Sequence, residues 1–197
     1  TCKQVQFYNG GNAGVQEGQA TTTGYMLFKR FNRSISKTSP GVASQNRPSI
    51  IFRLADFYLI YAEVANEVNP SDSRVLTYLN LVRERAGLPK VEILNPGIVG
   101  NKELQRAAIQ RERQIELATE GQRYFDVRRW MIADKDGEGR QNGYAHGMNV
   151  RGTINDTEEF NRVVETEKIV FNRKMYLQPI PDHEMRKTQN LVQNPGW

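Results

Sequence analysis

The chain has one cysteine, Cys2, and two histidines, His146 and His183, in 197 residues. A lone cysteine closes no internal disulfide and says nothing about the redox compartment. The two histidines sit in no H-E-x-x-H or Glu-x-x-His pattern, and no paired C-x-x-C exists, so no zinc or di-metal signature is present. A P-loop and a G-x-S-x-G elbow are missing too. No apolar run approaches the roughly 18 residues of a spanning helix. The first residues, "TCKQVQFYNGG", contain no apolar stretch of the signal-peptide kind. Charge of one sign does not cluster. The net charge of +5 comes from Lys and Arg interleaved with Asp and Glu, which predicts a mixed solvated surface rather than a nucleic-acid footprint.

What is there is enough chain for one domain, or a large piece of one. At this length roughly 70% of the unfolded surface can be buried, so folding needs no disulfide or metal. Residues 1–47 are rich in Gly, Ser, Thr, Asn and Gln, and "GYMLFKRF" (24–31) is their only strand-like run. The pattern then turns helical. "LADFYLIYAEVANEV" places Leu54, Phe57, Tyr58, Tyr61, Ala65 and Val68 at helical spacing, and Asn69-Pro70 stops it. Ser71 or Asp72 can cap a second helix carrying Val75, Leu76, Leu79, Val82 and Ala86, closed by Gly87 and Pro89. The spacing thus predicts a helical hairpin over 54–86, close to one tetratricopeptide unit in length.

After the loop "LPKVEILNPGIVG", Asn101 caps a third helix with Leu104, Ala108, Ile115 and Ala118 inward. Gly121 breaks it, and "RYFDVRRWMIA" reads as a fourth, giving a second hairpin over 102–133. Leu54, Tyr61, Leu79 and Ile115 are expected to be buried. Residues 134–160 read as one long polar loop, of a length that in compact domains is functional or mobile. "KIVFNRKMYLQPIP" alternates like one or two strands, and "DHEMRKTQNLVQNPGW" reads as a helical turn with an irregular tail.

The densest charge lies in "QRERQIELATEGQRYFDVRRW" (110–130), with five arginines and four carboxylates. Glu112, Glu116 and Glu120 share one face at four-residue intervals. No facing Glu-x-x-His supports a di-metal centre, and no feature selects a glycosidase pair, though the residues alone leave one open. Pairing with arginines such as Arg113, Arg123 and Arg128 is the expected use. Asp126 with Arg129 forms an i, i+3 pair, and Glu120 with Arg123 can bridge the Gly121 break. Arginines beside aromatics can stack bases, but the interleaved carboxylates weaken that role, and Trp130 is expected to pack on a neighbouring helix. "DKDGEG" places Asp134, Asp136 and Glu138 as in the start of a calcium loop, but position twelve is Ala145 where a bidentate Glu belongs. A solvated turn is the favoured reading.

Five ordered blocks, "RLADFYLIYAEVAN", "LNLVRERAGLP", "RERQIELATEGQRYFDVRRW", "YLQPIP" and "NLVQNPGW", resemble the C-terminal half of SusD/RagB-type nutrient-binding outer-membrane lipoproteins. The match runs over about 50–197, and "TGYMLFKRF" resembles the segment before the family's first helix. Gln122 stands where the family usually has His. The resemblance implies a mainly α fold: tetratricopeptide-like hairpins with long irregular loops and a few short strands. It implies glycan capture, sometimes peptide capture, at the outer cell surface of Bacteroidota-type cells, without catalysis or cofactor. It further implies a lipid anchor and a SusC-like TonB-dependent transporter as partner, with no nucleic-acid role. Cys2 follows Thr1 with no apolar leader in this stretch, and it is not expected to be the anchor cysteine. Residues 1–197 are therefore expected to be the family's C-terminal domain within a longer chain.

No binding residue is carried over from the resemblance. Sugars need an aromatic platform beside polar groups. "QFYNGGN" offers Phe7 and Tyr8, and "RQNGYAHG" offers Tyr144 beside Arg140, Asn142 and His146. These three aromatics are the candidate ligand contacts; tucking beneath their own loops is an equal reading. A protein-interaction module of helical hairpins and a hydrolase are the competing classes. Exposed loop aromatics favour glycan capture, a cleft with a perturbed carboxylate or histidine favours an enzyme, and the presence of neither favours a scaffold.

Overall fold

In the computed structural model the described residues are 23, 25, 27, 29, 50–135, 143–149 and 162–197. The chain divides into two compact units, one of residues 46–130 and one of residues 1–45 with 131–197. Of the expected strand-like run 24–31 only residues 25, 27 and 29 are described, and none of the three is in a strand.

The first unit is helical. Helix α1 (Leu54–Val68) and helix α2 (Arg74–Arg85) form the expected first hairpin. A short α3 (Val91–Leu94) and a 3-10 turn (Pro96–Ile98) lead to α4 (Lys102–Glu116) and α5 (Gln122–Arg129). Local chemistry sets the ends. Asp72 Oδ1 accepts from the Arg74 N–H at 2.9 Å at the start of α2. At its end, Leu88 N–H reaches the Arg83 carbonyl and Gly87 N–H the Glu84 carbonyl. That double closure requires the left-handed residue that Gly87 supplies at φ +76°. Asn101 Oδ1 caps α4 through the Leu104 N–H.

The core of this unit is Leu59, Ala62, Val75, Leu79, Val82 and Ile109, all essentially inaccessible. It sits where α1, α2 and α4 meet. The buried face of α1 is Asp56, Leu59, Ala62 and Asn66, not the aromatic stripe that periodicity selected. Leu54, Phe57, Tyr61 and Val68 are exposed, while Tyr58 and Ala65 pack partly against the core. On α2, Val75, Leu79 and Val82 are buried as expected, but Ala86 is exposed.

On α4 the inward residues are Gln105, Ile109, Glu112 and Arg113, with Leu104, Ile115 and Ala118 exposed and Ala108 half-buried. The reason is the same on both helices. Polar side chains occupy the seam because partners across it take up their donors and charges, although Asn66 Oδ1 and Gln105 Oε1 accept no hydrogen bond there. Asn66 Nδ2 donates to the Lys102 carbonyl, and Gln105 Nε2 to the carbonyls of Pro70 and Ile98. Asp56 and Arg113 meet each other. A hydropathy count scores such residues as outward.

Helix α5 ends at Arg129, four residues short of the expected limit, where Trp130 caps it and Met131 turns to φ +54°. The α4–α5 turn contains Thr119 at φ +67° and Gly121 at φ +85°. A left-handed backbone costs a β-branched residue about 1–2 kcal/mol, so contacts elsewhere in the turn must hold Thr119 there.

The second unit carries an antiparallel pair, β1 (Gly143–Met148) and β2 (Val163–Ile169), with a register shift between Ala145 and His146. Residues 143–148 therefore belong to a strand rather than to the expected polar loop. Backbone hydrogen bonds pair β1 without an apolar alternation for sequence to reveal. The Met148 N–H also donates to the Thr23 carbonyl. A Cβ at Gly147 would lie 2.6 Å from Thr23 Cα, so that backbone approach requires glycine. Residues Arg173–Tyr176 form a 3-10 turn where a strand was expected, and a short α6 (Asp182–Met185) follows. The tail folds back: Gln193 exchanges two hydrogen bonds with the Ile180 backbone, and Trp197 Nε1 donates to the Lys174 and Leu177 carbonyls.

Candidate functional site

The arginine-rich stretch resolves into two sets of ion pairs. In the first, Arg113, only 2% exposed, donates through Nη1 to Asp56 Oδ1 at 2.9 Å. Its Nε and Nη2 reach the two Asp126 oxygens at 3.0 and 3.2 Å, a bidentate fit. Asp126 also accepts from Arg129 Nε at 2.9 Å. Arg129 clasps Glu63 with both terminal nitrogens, and Trp130 Nε1 donates to the same carboxylate at 2.7 Å. The Arg129 guanidinium lies 4.6 Å from the Trp130 ring centre.

In the second cluster, Arg53 donates to Glu120 at 2.6 Å and to Glu116, which also accepts from Arg85 at 2.5 Å. Glu112 pairs with Arg83 at 2.9 Å. The glutamates thus find arginines as expected, but these come from α2 and the residue before α1. Arg113 serves Asp56 and Asp126 instead. Asp56, in the first turn of α1, also faces the positive end of that helix. The Asp126–Arg129 pair is as expected. Sequence reasoning did not single out Arg53, Asp56 or Glu63, whose partners lie 57 to 67 residues away. Their one sequence signal is their placement inside the family's blocks.

These clusters bind α1 and α2 to α4 and α5. Their carboxylates are spoken for by arginine, and the described residues contain no group of His, Cys, Asp and Glu able to hold a metal.

Of the candidate ligand contacts, Phe7 and Tyr8 lie outside the described residues. Tyr144 lies in β1, opposite Lys168 in the register. His146 is exposed and opposite Glu165, whereas Arg140 and Asn142 lie outside the described residues. Most of the proposed platform therefore lies outside the described residues. Of the calcium-like set, Asp136 and Glu138 also lie outside them. Asp134 accepts the Tyr176 hydroxyl at 2.6 Å, and its N–H donates back to the same oxygen at 3.1 Å. The bond from Tyr176 lowers the Asp134 carboxyl's pKa. Burial, then the bond to Asp134, raises that of the tyrosine.

The first unit has one further feature that sequence did not disclose. Leu54, Phe57, Tyr58, Tyr61 and Val64 of α1, with Tyr78 of α2, line an apolar trough of about 390 Å³. Tyr78 contacts Tyr58 and Tyr61 with ring centres 5.3 and 4.6 Å apart.

An antiparallel helical hairpin packed on α4 and tied to it by buried arginine–carboxylate clusters places the first unit among tetratricopeptide-like α-folds. The SusD family model matches residues 1–197. The SusD-like protein P25 of Formosa agariphila is 44% identical over 106 residues, 54% of this chain and 19% of that protein. The SusD-like protein P2 of the same organism is 31% identical over 153 residues, 75% of this chain and 26% of that protein. A solved SusD-like protein of Bacteroides fragilis superposes with a TM-score of 0.70 at 29% identity, over 91% of this chain and 31% of its own. The chain belongs to the SusD family, and it spans between a fifth and about a third of the length of these relatives.

Proposed function

We propose that this chain is the helical C-terminal portion of a cell-surface nutrient-binding protein. It captures a glycan and passes it to a SusC-like TonB-dependent transporter in the outer membrane. The observation that carries the reading is the SusD family match along all 197 residues. The site geometry supports a binding role: the carboxylates of 110–130 are neutralised by arginine inside a scaffold, which leaves them unsuited to acid–base work. Attachment to the outer face of the membrane is through a lipid. No helix among the described residues is long and apolar enough to cross a membrane.

Phe7, Tyr8 and Tyr144 are the aromatic platforms of the ligand site, the last of them on strand β1. The test is binding of the full-length protein to immobilised glycans and peptides, followed by Tyr8→Ala and Tyr144→Ala. Each truncation is expected to weaken binding by about 1 kcal/mol or more, the usual scale for an aromatic anchor. Glycan binding that neither variant alters removes these residues from the site. Peptide binding alone replaces the ligand class, and turnover of a bound glycan overturns the non-catalytic reading.

A further inference from the structure

We draw no further inference here: the strongest candidate, the exposed apolar side chains of Ile93, Leu94 and Val99 on the segment that joins α2 to α4, carries nothing because nothing in the structure shows what covers it.

Discussion

Arg113 Nη1 lies 2.9 Å from Asp56 Oδ1, joining positions 57 residues apart in the chain within a nearly dry seam. The same guanidinium holds Asp126 with its two other nitrogens, so one side chain fixes α1 and α5 against α4. Removing one partner of a buried ion pair costs about 3–5 kcal/mol, because the charge left behind has no water. Arg113→Met is expected to lower unfolding stability in urea by that amount. Arg113→Lys should recover little of it, since an ammonium cannot make the bidentate contact. A loss under about 1 kcal/mol for Arg113→Met, the scale of an exposed pair, would show that the cluster is solvated.

Leu79 is fully buried in the core, and Leu54 is 62% exposed. Leu79→Ala should cost about 2–5 kcal/mol through the cavity it leaves. Leu54→Ala in this 197-residue chain should stay within about 0.5 kcal/mol. Thermal melts of the two variants side by side check the ranking, and equal losses would put the α1 face wrong.

Thr119 occupies left-handed backbone at φ +67°. Asn tolerates that region better than a β-branched residue does. Thr119→Asn is expected to raise stability by a few tenths to about 1 kcal/mol. A lower melting temperature would mean that the threonine makes a contact that outweighs the strain.

Glu67 is held at a pKa of about 2, against an ordinary 4.5, mainly by the hydrogen bond from Arg106 and also by Lys102. Because the folded value lies below the unfolded one, the unfolded chain takes up the proton first as pH falls. The contribution is therefore complete above about pH 4.5 and is lost between there and about pH 2. Glu67→Gln should flatten the melting temperature's pH dependence within that window and leave its shape at neutral pH unchanged. An identical acid profile for both proteins would remove Glu67 as a contributor.

Trp130 donates to Glu63 and stacks beneath Arg129. Trp130→Ala is expected to lower the melting temperature of the full-length protein and leave ligand affinity unchanged in the fraction that stays folded. Lost affinity at an unaltered melting temperature would move the signature stretch from scaffold to ligand site.

Sequence alone determined the first helical hairpin, the helices α4 and α5, the Asn101 cap, the Gly87 closure and the arginine–carboxylate use of residues 110–130. Each depends on local spacing or local backbone chemistry, which is visible within a few residues. It also determined the family, through five blocks in order. The tertiary structure alone decided which face of α1 and α4 turns inward. Asp56, Asn66, Gln105 and Arg113 are buried because residues elsewhere in the chain pair with their charges or amide N–H groups, and periodicity counts such side chains as exposed. The aromatic stripe of α1, which periodicity assigned to the core, lines an open trough instead. The strand at 143–148 was also hidden from sequence, because it is held by backbone pairing rather than by an apolar pattern. A polar side chain's burial is fixed by its partner, and only the folded chain brings the partner within reach.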